Sequence, residues 1–241
     1  MAERENLGQK FLRAIRRIYT RSMVRAGIPP EKIFTTYYRQ NKWRGRESVS
    51  GVGSDPEHTR AIEERLPRLL AEFGVQSMLD IPCGDFAWMR RVPLEGVDYV
   101  GADIVAPLIE ANNRAHATPG IRFVQLDLIS DPLPRADLVL CRDCLVHLSF
   151  SDARAALRNI LASGSRYILS TTFTARADNT DIGTGGWRPL NLQRVPFNFP
   201  EPRMLFSEQF DVAEYSDKAI GLWALSDLAP LLSPELDSPG N

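Results

Sequence analysis

A doubly wound α/β domain built on a seven-stranded, mostly parallel sheet is what this 241-residue chain predicts. Short apolar runs alternate with amphipathic segments from about residue 59 onward, the pattern of strands covered by helices on both faces. Acidic residues close the first three runs. The last two runs are joined by only Ser216 to Ala219, too little chain for a crossover, so the sheet should end on an antiparallel strand.

The elements follow in order. Residues 59–73 carry apolar positions at helical spacing and stop at Gly74. Strands are expected at 77–81, 99–103, 122–127, 137–141 and 166–173, with helices at 86–91 and 105–116. Ser151-Asp152 reads as the cap of a helix running to about Ala162. A long irregular stretch, 174–205, precedes the closing strands at 210–215 and 220–225. Pro29-Pro30 punctuates the chain, and 31–60 reads as a polar, glycine-dotted approach. Two units are therefore expected: an N-terminal helix and lid segment, 1–58, and a main domain, 59–241, with 174–205 as a substrate-loop insertion.

Composition narrows the function. With 44% hydrophobic and 24% charged residues, the chain is an ordinary globular sequence. A net charge of −1 offers no global field to recruit nucleic acid. No apolar run approaches the roughly 18 residues of a membrane span. Cys83, Cys141 and Cys144 make neither a disulfide framework nor a zinc-ligand pattern, which points to a reducing cytoplasm. Residues 1–26 hold seven basic side chains against Glu3 and Glu5, with Phe11, Leu12, Ile15, Ile18, Tyr19 and Val24 at near-helical spacing. A helix packed on the domain with a basic face to water is the preferred reading. Membrane-surface contact and a mitochondrial presequence are the alternatives.

The strand ends carry the functional signal, because ligands of open α/β sheets bind outside the carboxyl ends of the strands. The first turn is Asp80-Ile81-Pro82-Cys83-Gly84-Asp85-Phe86, where Gly84 lets backbone approach a ligand. Asp103 ends the second strand, 19 positions after Gly84, near the spacing at which a carboxylate meets ribose hydroxyls. Pro82 and Phe86 stand where a dinucleotide site would need small residues. A cofactor with a ribose and no pyrophosphate fits better, and S-adenosylmethionine is such a molecule.

Leu79-Asp80-Ile81-Pro82-Cys83-Gly84 resembles the first motif of class I S-adenosylmethionine-dependent methyltransferases, usually written Asp/Glu-x-Gly-x-Gly. Val100 to Ile104, Phe123 to Leu128 and Ala136 to Asp143 resemble the next three, in register over residues 60–225. The resemblance implies a Rossmann-like sheet and a cofactor set of Asp80, Cys83, Gly84, Asp85, Phe86, Asp103, Ile104, Asp127, Leu128, Cys141 and Arg142. Gly84 and Asp85 would lie under the methionine portion. Asp103 would accept from the ribose with Ile104 on the adenine, and Asp127 from the adenine amino group with Leu128 alongside. A strand-end turn carboxylate is the plainer reading of Asp103 and Asp127. The marks Trp43-x-Gly45-x-Glu47-Ser48-x-Ser50-Gly51-x-Gly53-Ser54 and Gly185-Gly186-Trp187-Arg188-Pro189-Leu190-Asn191 further resemble a bacterial subgroup associated with glycan biosynthesis.

Methyl transfer needs alignment, and an alcohol acceptor also needs a base. His147, six residues beyond the fourth strand, is the candidate base, with a structural cap as its other reading. Asp143 is the second candidate. Asp85 and Glu47 beside it do not specify a metal site, so no metal is expected. Arg142 and Arg188 suit a carboxylate or phosphate, or else ordinary ion pairs. Trp43, Ser54, Trp187 and Arg188 are the expected substrate residues, on aromatic loops (with Phe197 and Phe199) read as lid and wall. Trp43 and Trp187 should meet over the site's mouth, with Arg188 directed inward to select an acidic acceptor. The function these imply is O-methylation of a sugar, glycan or other small-molecule hydroxyl. A protein or amine methyltransferase and a non-catalytic cofactor-binding module are the rivals.

Overall fold

The computed structural model describes residues 27–208 and 215–232. The expected basic helix of residues 1–26 and most of the expected strand 210–215 lie outside the described residues. The sheet contains β1 (Ser77–Asp80), β2 (Asp98–Asp103), β3 (Ile121–Gln125), β4 (Leu138–Cys141), β5 (Tyr167–Phe173), β6 (Met204–Ser207) and β7 (Lys218–Ala224). Their order is β3-β2-β1-β4-β5-β7-β6. β1 to β5 pair in parallel, and β7 runs antiparallel to both β5 and β6.

The central strands are buried on both faces, which is why they read as continuous apolar runs. All four residues of β4 and all seven of β7 are buried. On one face, Met78, Leu138, Leu140 and Leu169 meet Ile62, Leu66 and Leu69 of α2 (Pro56–Glu72) and Leu108 and Ile109 of α3 (Ala106–His116). On the other, Leu79, Val139 and Ile168 meet Ala153, Ala156, Leu157 and Ile160 of α4 (Phe150–Ala162). A short α5 (Leu225–Leu228) follows β7 and packs there too. Ser149, two residues before the expected cap, caps α4 by accepting from the Asp152 N–H at 3.1 Å.

Several expectations need correction. Residues 86–91 form no α-helix, but turns ending in a 3-10 turn at Met89–Arg91. Phe86, with φ +58°, packs among Tyr99, Phe123 and His116. The edge strand β6 comes from the end of the stretch read as irregular. The rest of that stretch gives the core four side chains: Leu190, Leu192, Phe197 and Phe199 are all buried beside α4. Phe197 and Phe199 are thus packing residues, not a substrate wall.

The segment read as a polar approach contains α1 (Pro30–Arg39). Pro30 sits in its first turn, where the missing N–H costs nothing. Ile33 and Tyr37, one turn apart, are buried, each contributing about 1.5–3 kcal/mol of apolar burial. Gly185, at φ +90°, makes that docking possible, since a Cβ there would lie 2.7 Å from Ile33 Cγ2.

Candidate functional site

β1 is the switch point of the sheet: the chain winds through β2 and β3 on one side of it and β4 and β5 on the other. The carboxyl ends of these strands open into a cavity of about 440 Å³. From the expected cofactor set, Asp80, Cys83, Gly84, Asp103, Ile104, Asp127, Leu128 and Arg142 line it. His147 and Asp143 line it as well, as do Trp43, Ser54 and Trp187. Asp85, Phe86, Cys141 and Arg188 are not part of its wall.

At the first turn, Gly84 has φ +56°, and its N–H donates to Asp103 Oδ2 at 3.3 Å. Oδ1 of Asp103 accepts the Val105 N–H at 3.0 Å. Burial pushes the Asp103 carboxyl up to about 6, against the pull of these backbone donors. Burial likewise raises Asp80 to about 7, although the Tyr99 hydroxyl donates to its Oδ2 at 2.7 Å. Asp127 lies just beyond β3 and is occupied in a turn. Its Oδ1 accepts from the Ile129 N–H at 2.8 Å and its Oδ2 from the Ser130 hydroxyl at 3.0 Å.

Asp85 is not part of the cavity wall and holds a strap, residues 43–54, across the turn. The Ser48 hydroxyl donates to Oδ1 at 2.8 Å and the Val49 N–H to Oδ2 at 2.9 Å. The Asp85 N–H donates back to Ser50 Oγ at 3.2 Å. Asp55, at the head of α2, accepts from the Arg46 and Glu47 N–H groups at 3.2 and 3.3 Å. The strap is therefore clasped by two carboxylates, Asp55 at residues 46–47 and Asp85 at residues 48–50.

Beyond β4, Arg142, Asp143, Lys218 and Glu208 form a buried ionic network. Arg142 Nε donates to Glu208 at 2.6 Å, and Nη2 donates to the Gly53 carbonyl of the strap at 2.7 Å. Lys218 Nζ reaches Glu208 at 2.9 Å and Asp143 at 2.7 Å. Burial would raise the Asp143 carboxyl, yet the Lys218 and Arg142 charges hold it near 2. A carboxylate so paired accepts protons poorly, so Asp143 is an ion-pair partner and a weak base. Arg142 is likewise spoken for.

His147 is different. It ends the 3-10 turn Leu145–His147, and its Nδ1 lies 2.7 Å from the Gly186 carbonyl. A carbonyl only accepts, so Nδ1 carries the proton and the neutral ring keeps its lone pair on Nε2. Burial lowers its pKa, with Arg188 and Lys42 adding to that, while the Gly186 contact and Asp143 oppose it. Trp43 packs 5.7 Å from the imidazole.

The two tryptophans occupy different parts of the cavity wall. Trp43 packs with Phe34 and Tyr37 of α1, and Trp187 with Phe173 and Tyr215. Trp187 remains 43% exposed. Arg188 does not point inward as expected. Its Nη1 donates to the Leu145 carbonyl at 2.8 Å, and its guanidinium lies 5.3 Å from the Phe150 ring. Trp187 and Arg188 therefore make separate contacts, the indole with Phe173 and Tyr215 and the guanidinium with Leu145 and Phe150.

Sequence reasoning missed Pro30, Phe34 and Tyr38, which line the cavity from one face of α1. Their i, i+4, i+8 spacing is the signal that was available. Lys218 was also missed, because nothing local marks a lysine in β7 as the partner of Asp143.

A family model described as a methyltransferase domain matches residues 78–163, from β1 through α4. Among solved structures, human N-acetylserotonin methyltransferase in complex with S-adenosylmethionine superposes with a TM-score of 0.57 at 17% identity. The match covers 82% of this chain and 60% of that one, so the chain spans about three fifths of that protein's length. The N-methyltransferase NodS from Bradyrhizobium japonicum WM9 gives 0.52 at 16% identity, over 70% and 97% of the two chains. The methyltransferase domain of bacterial CtHen1 gives 0.52 at 13%, over 69% and 98%. At these identities the likeness is one of fold. None of the curated protein sequences compared with the chain matches it.

Proposed function

We propose that the chain is a class I, S-adenosylmethionine-dependent methyltransferase that O-methylates a hydroxyl of an uncharged sugar or other small molecule, with His147 as general base. The methyltransferase-domain match over residues 78–163 supports the first half of this reading. The observation that carries this reading is the bare Nε2 of His147 in an aromatic-walled cavity that also holds Asp103.

The cavity's chemistry suits the cofactor. Asp80, Asp103, Asp127 and Asp143 outnumber Arg142 and Lys218 around it, an environment favourable to a sulfonium cation. Asp103, buried at the end of β2, is the acceptor for ribose hydroxyls, and Ile104 and Leu128 offer apolar contact to the adenine. Bound there, S-adenosylmethionine supplies a methyl group as an electrophile and leaves as a neutral thioether.

His147 takes the acceptor's hydroxyl proton at Nε2 while Gly186 holds the opposite nitrogen. Trp43, Phe34 and Tyr38 exclude water and give a ring its apolar faces. The cations on the wall are committed to Asp143 and Glu208, so an acidic acceptor has no partner among them. This argues for a neutral acceptor in place of the uronic acid or phosphorylated sugar that an inward Arg188 would have selected.

The test is incubation of the protein with a lysate and an isotopically labelled methyl donor. Label in neutral small molecules, lost with His147→Ala, is the expected result. Label confined to protein, or equal labelling by His147→Ala, would overturn it.

A further inference from the structure

We propose that Arg188 is a positioning residue for His147: it clamps the turn that carries the imidazole and sets a positive charge behind it. The proposal rests on His147 being the base.

The clamp is continuous. Three consecutive carbonyls of the His147 turn accept from the 185–188 segment. Arg188 Nη1 donates to Leu145 O at 2.8 Å, the Arg188 N–H to Val146 O at 3.1 Å, and the Gly185 N–H to His147 O at 2.8 Å. The Gly186 carbonyl then takes the imidazole Nδ1–H at 2.7 Å. From the other side, the Tyr37 hydroxyl of α1 donates to Gly185 O at 3.0 Å. The ring's tautomer and direction are thereby set by a segment anchored at both ends.

The charge is the second half. Arg188 is 5% exposed, and its Nε and Nη2 have no acceptor among the described residues. Burial lowers its own pKa to about 10, so it stays charged at neutral pH. A neutral amide could tie the Leu145 carbonyl without the cost of desolvating a guanidinium that has no carboxylate hydrogen-bonded to it. Asp181 is the carboxylate whose charge bears on Arg188, without a hydrogen bond between them, and the imidazole is the titratable group on the turn that Arg188 clamps. Three charged side chains bear on His147. Asp143, after β4, favours the imidazolium, while Arg188 and Lys42, after α1, oppose it along with burial. The result is a ring that is unprotonated, and so able to act as a base, at neutral pH.

Histidine-labelled NMR of the full chain tests this without relying on turnover. His147 is assigned among His58, His116 and His147 with His147→Gln. In the wild type it should titrate below the ordinary value of about 6.5, with the proton on Nδ1. Arg188→Gln should move that titration upward and shift the acid limb of kcat with it, while Arg188→Lys should restore both. A folded Arg188→Gln with an unmoved His147 titration would overturn the proposal. Should that variant not fold, a wild-type His147 titrating at or above about 6.5 overturns it alone. An NMR shift that the rate profile fails to follow would uphold the clamp and overturn His147 as the base.

Discussion

Lys218 Nζ stands 2.7 Å from Asp143 Oδ2, tying the antiparallel strand β7 to the turn that leaves the parallel strand β4. Asp143 holds φ +52° there, with its N–H donating to Thr171 Oγ1 of β5 at 2.9 Å. Three strands are thus locked at the mouth of the cavity. Lys218→Met leaves Asp143 and the buried Glu208 facing one cation fewer, and it should cost about 3–5 kcal/mol in urea unfolding. The Asp143 carboxyl is depressed to about 2 in the folded chain. Its stabilisation is therefore present above the unfolded value of about 3.9 and lost as pH falls through about 2. Lys218→Met should flatten that part of the stability profile, and an unchanged acid transition would contradict the pairing.

Asp80 and Asp103 behave in the opposite sense. Their folded values, about 7 and about 6, lie above the unfolded value. The folded state then holds more protons, so the stability they contribute is full below about 3.9 and falls as pH rises through 6 and 7. Without cofactor, the chain should melt at a lower temperature at pH 8 than at pH 5. If hydroxyl donors on the cofactor favour the Asp103 carboxylate, binding near pH 6 should release protons. Calorimetry in buffers of different ionisation enthalpy reads that release directly, and buffer-independent heats would contradict it.

Gly84→Ala probes the strap. A Cβ there would meet Ser50 Cβ at 3.0 Å and its hydroxyl closer still, at a φ that costs an L-residue roughly 1–2 kcal/mol. The variant should lose about that much stability and free the strap from Asp85, seen as proteolytic cleavage within residues 43–54. Resistance equal to the wild type would mean that the Ser48–Ser50 clasp does not hold this segment.

His147→Ala should lower kcat by roughly 10²–10⁴-fold while cofactor affinity stays near the wild-type value. Rapid-quench turnover alongside cofactor titration separates the two. A parallel loss of affinity would make the residue structural.

The parallel strands were legible because burial on both faces leaves continuous apolar runs, as in Leu138–Cys141. The acidic strand ends were legible for a related reason, since only a polar turn residue suits that position. What escaped was everything set by distant pairing. Asp85 sits in the right motif, yet its carboxylate serves Ser48 and Val49, some 36 residues away. Arg188 neighbours an exposed tryptophan but is drawn to Leu145 by the pairing of its own backbone with Val146. The helix α1 escaped because it is only ten residues long and its apolar face, Pro30, Ile33, Phe34, Tyr37 and Tyr38, opens on a proline pair that reads as punctuation. Phe197 and Phe199 look like lid aromatics until the exposed side of the sheet beyond α4 is seen to need covering.

Titration of the purified chain with S-adenosylhomocysteine tests the cofactor site most directly. The wild type should bind with a Kd on the order of micromolar and melt at a higher temperature when saturated. Asp103→Ala should lose most of that heat while still unfolding cooperatively, at a somewhat lower temperature because the Gly84 and Val105 N–H groups lose their acceptor. Absence of binding by the folded wild type would contradict the assignment of this cavity to S-adenosylmethionine.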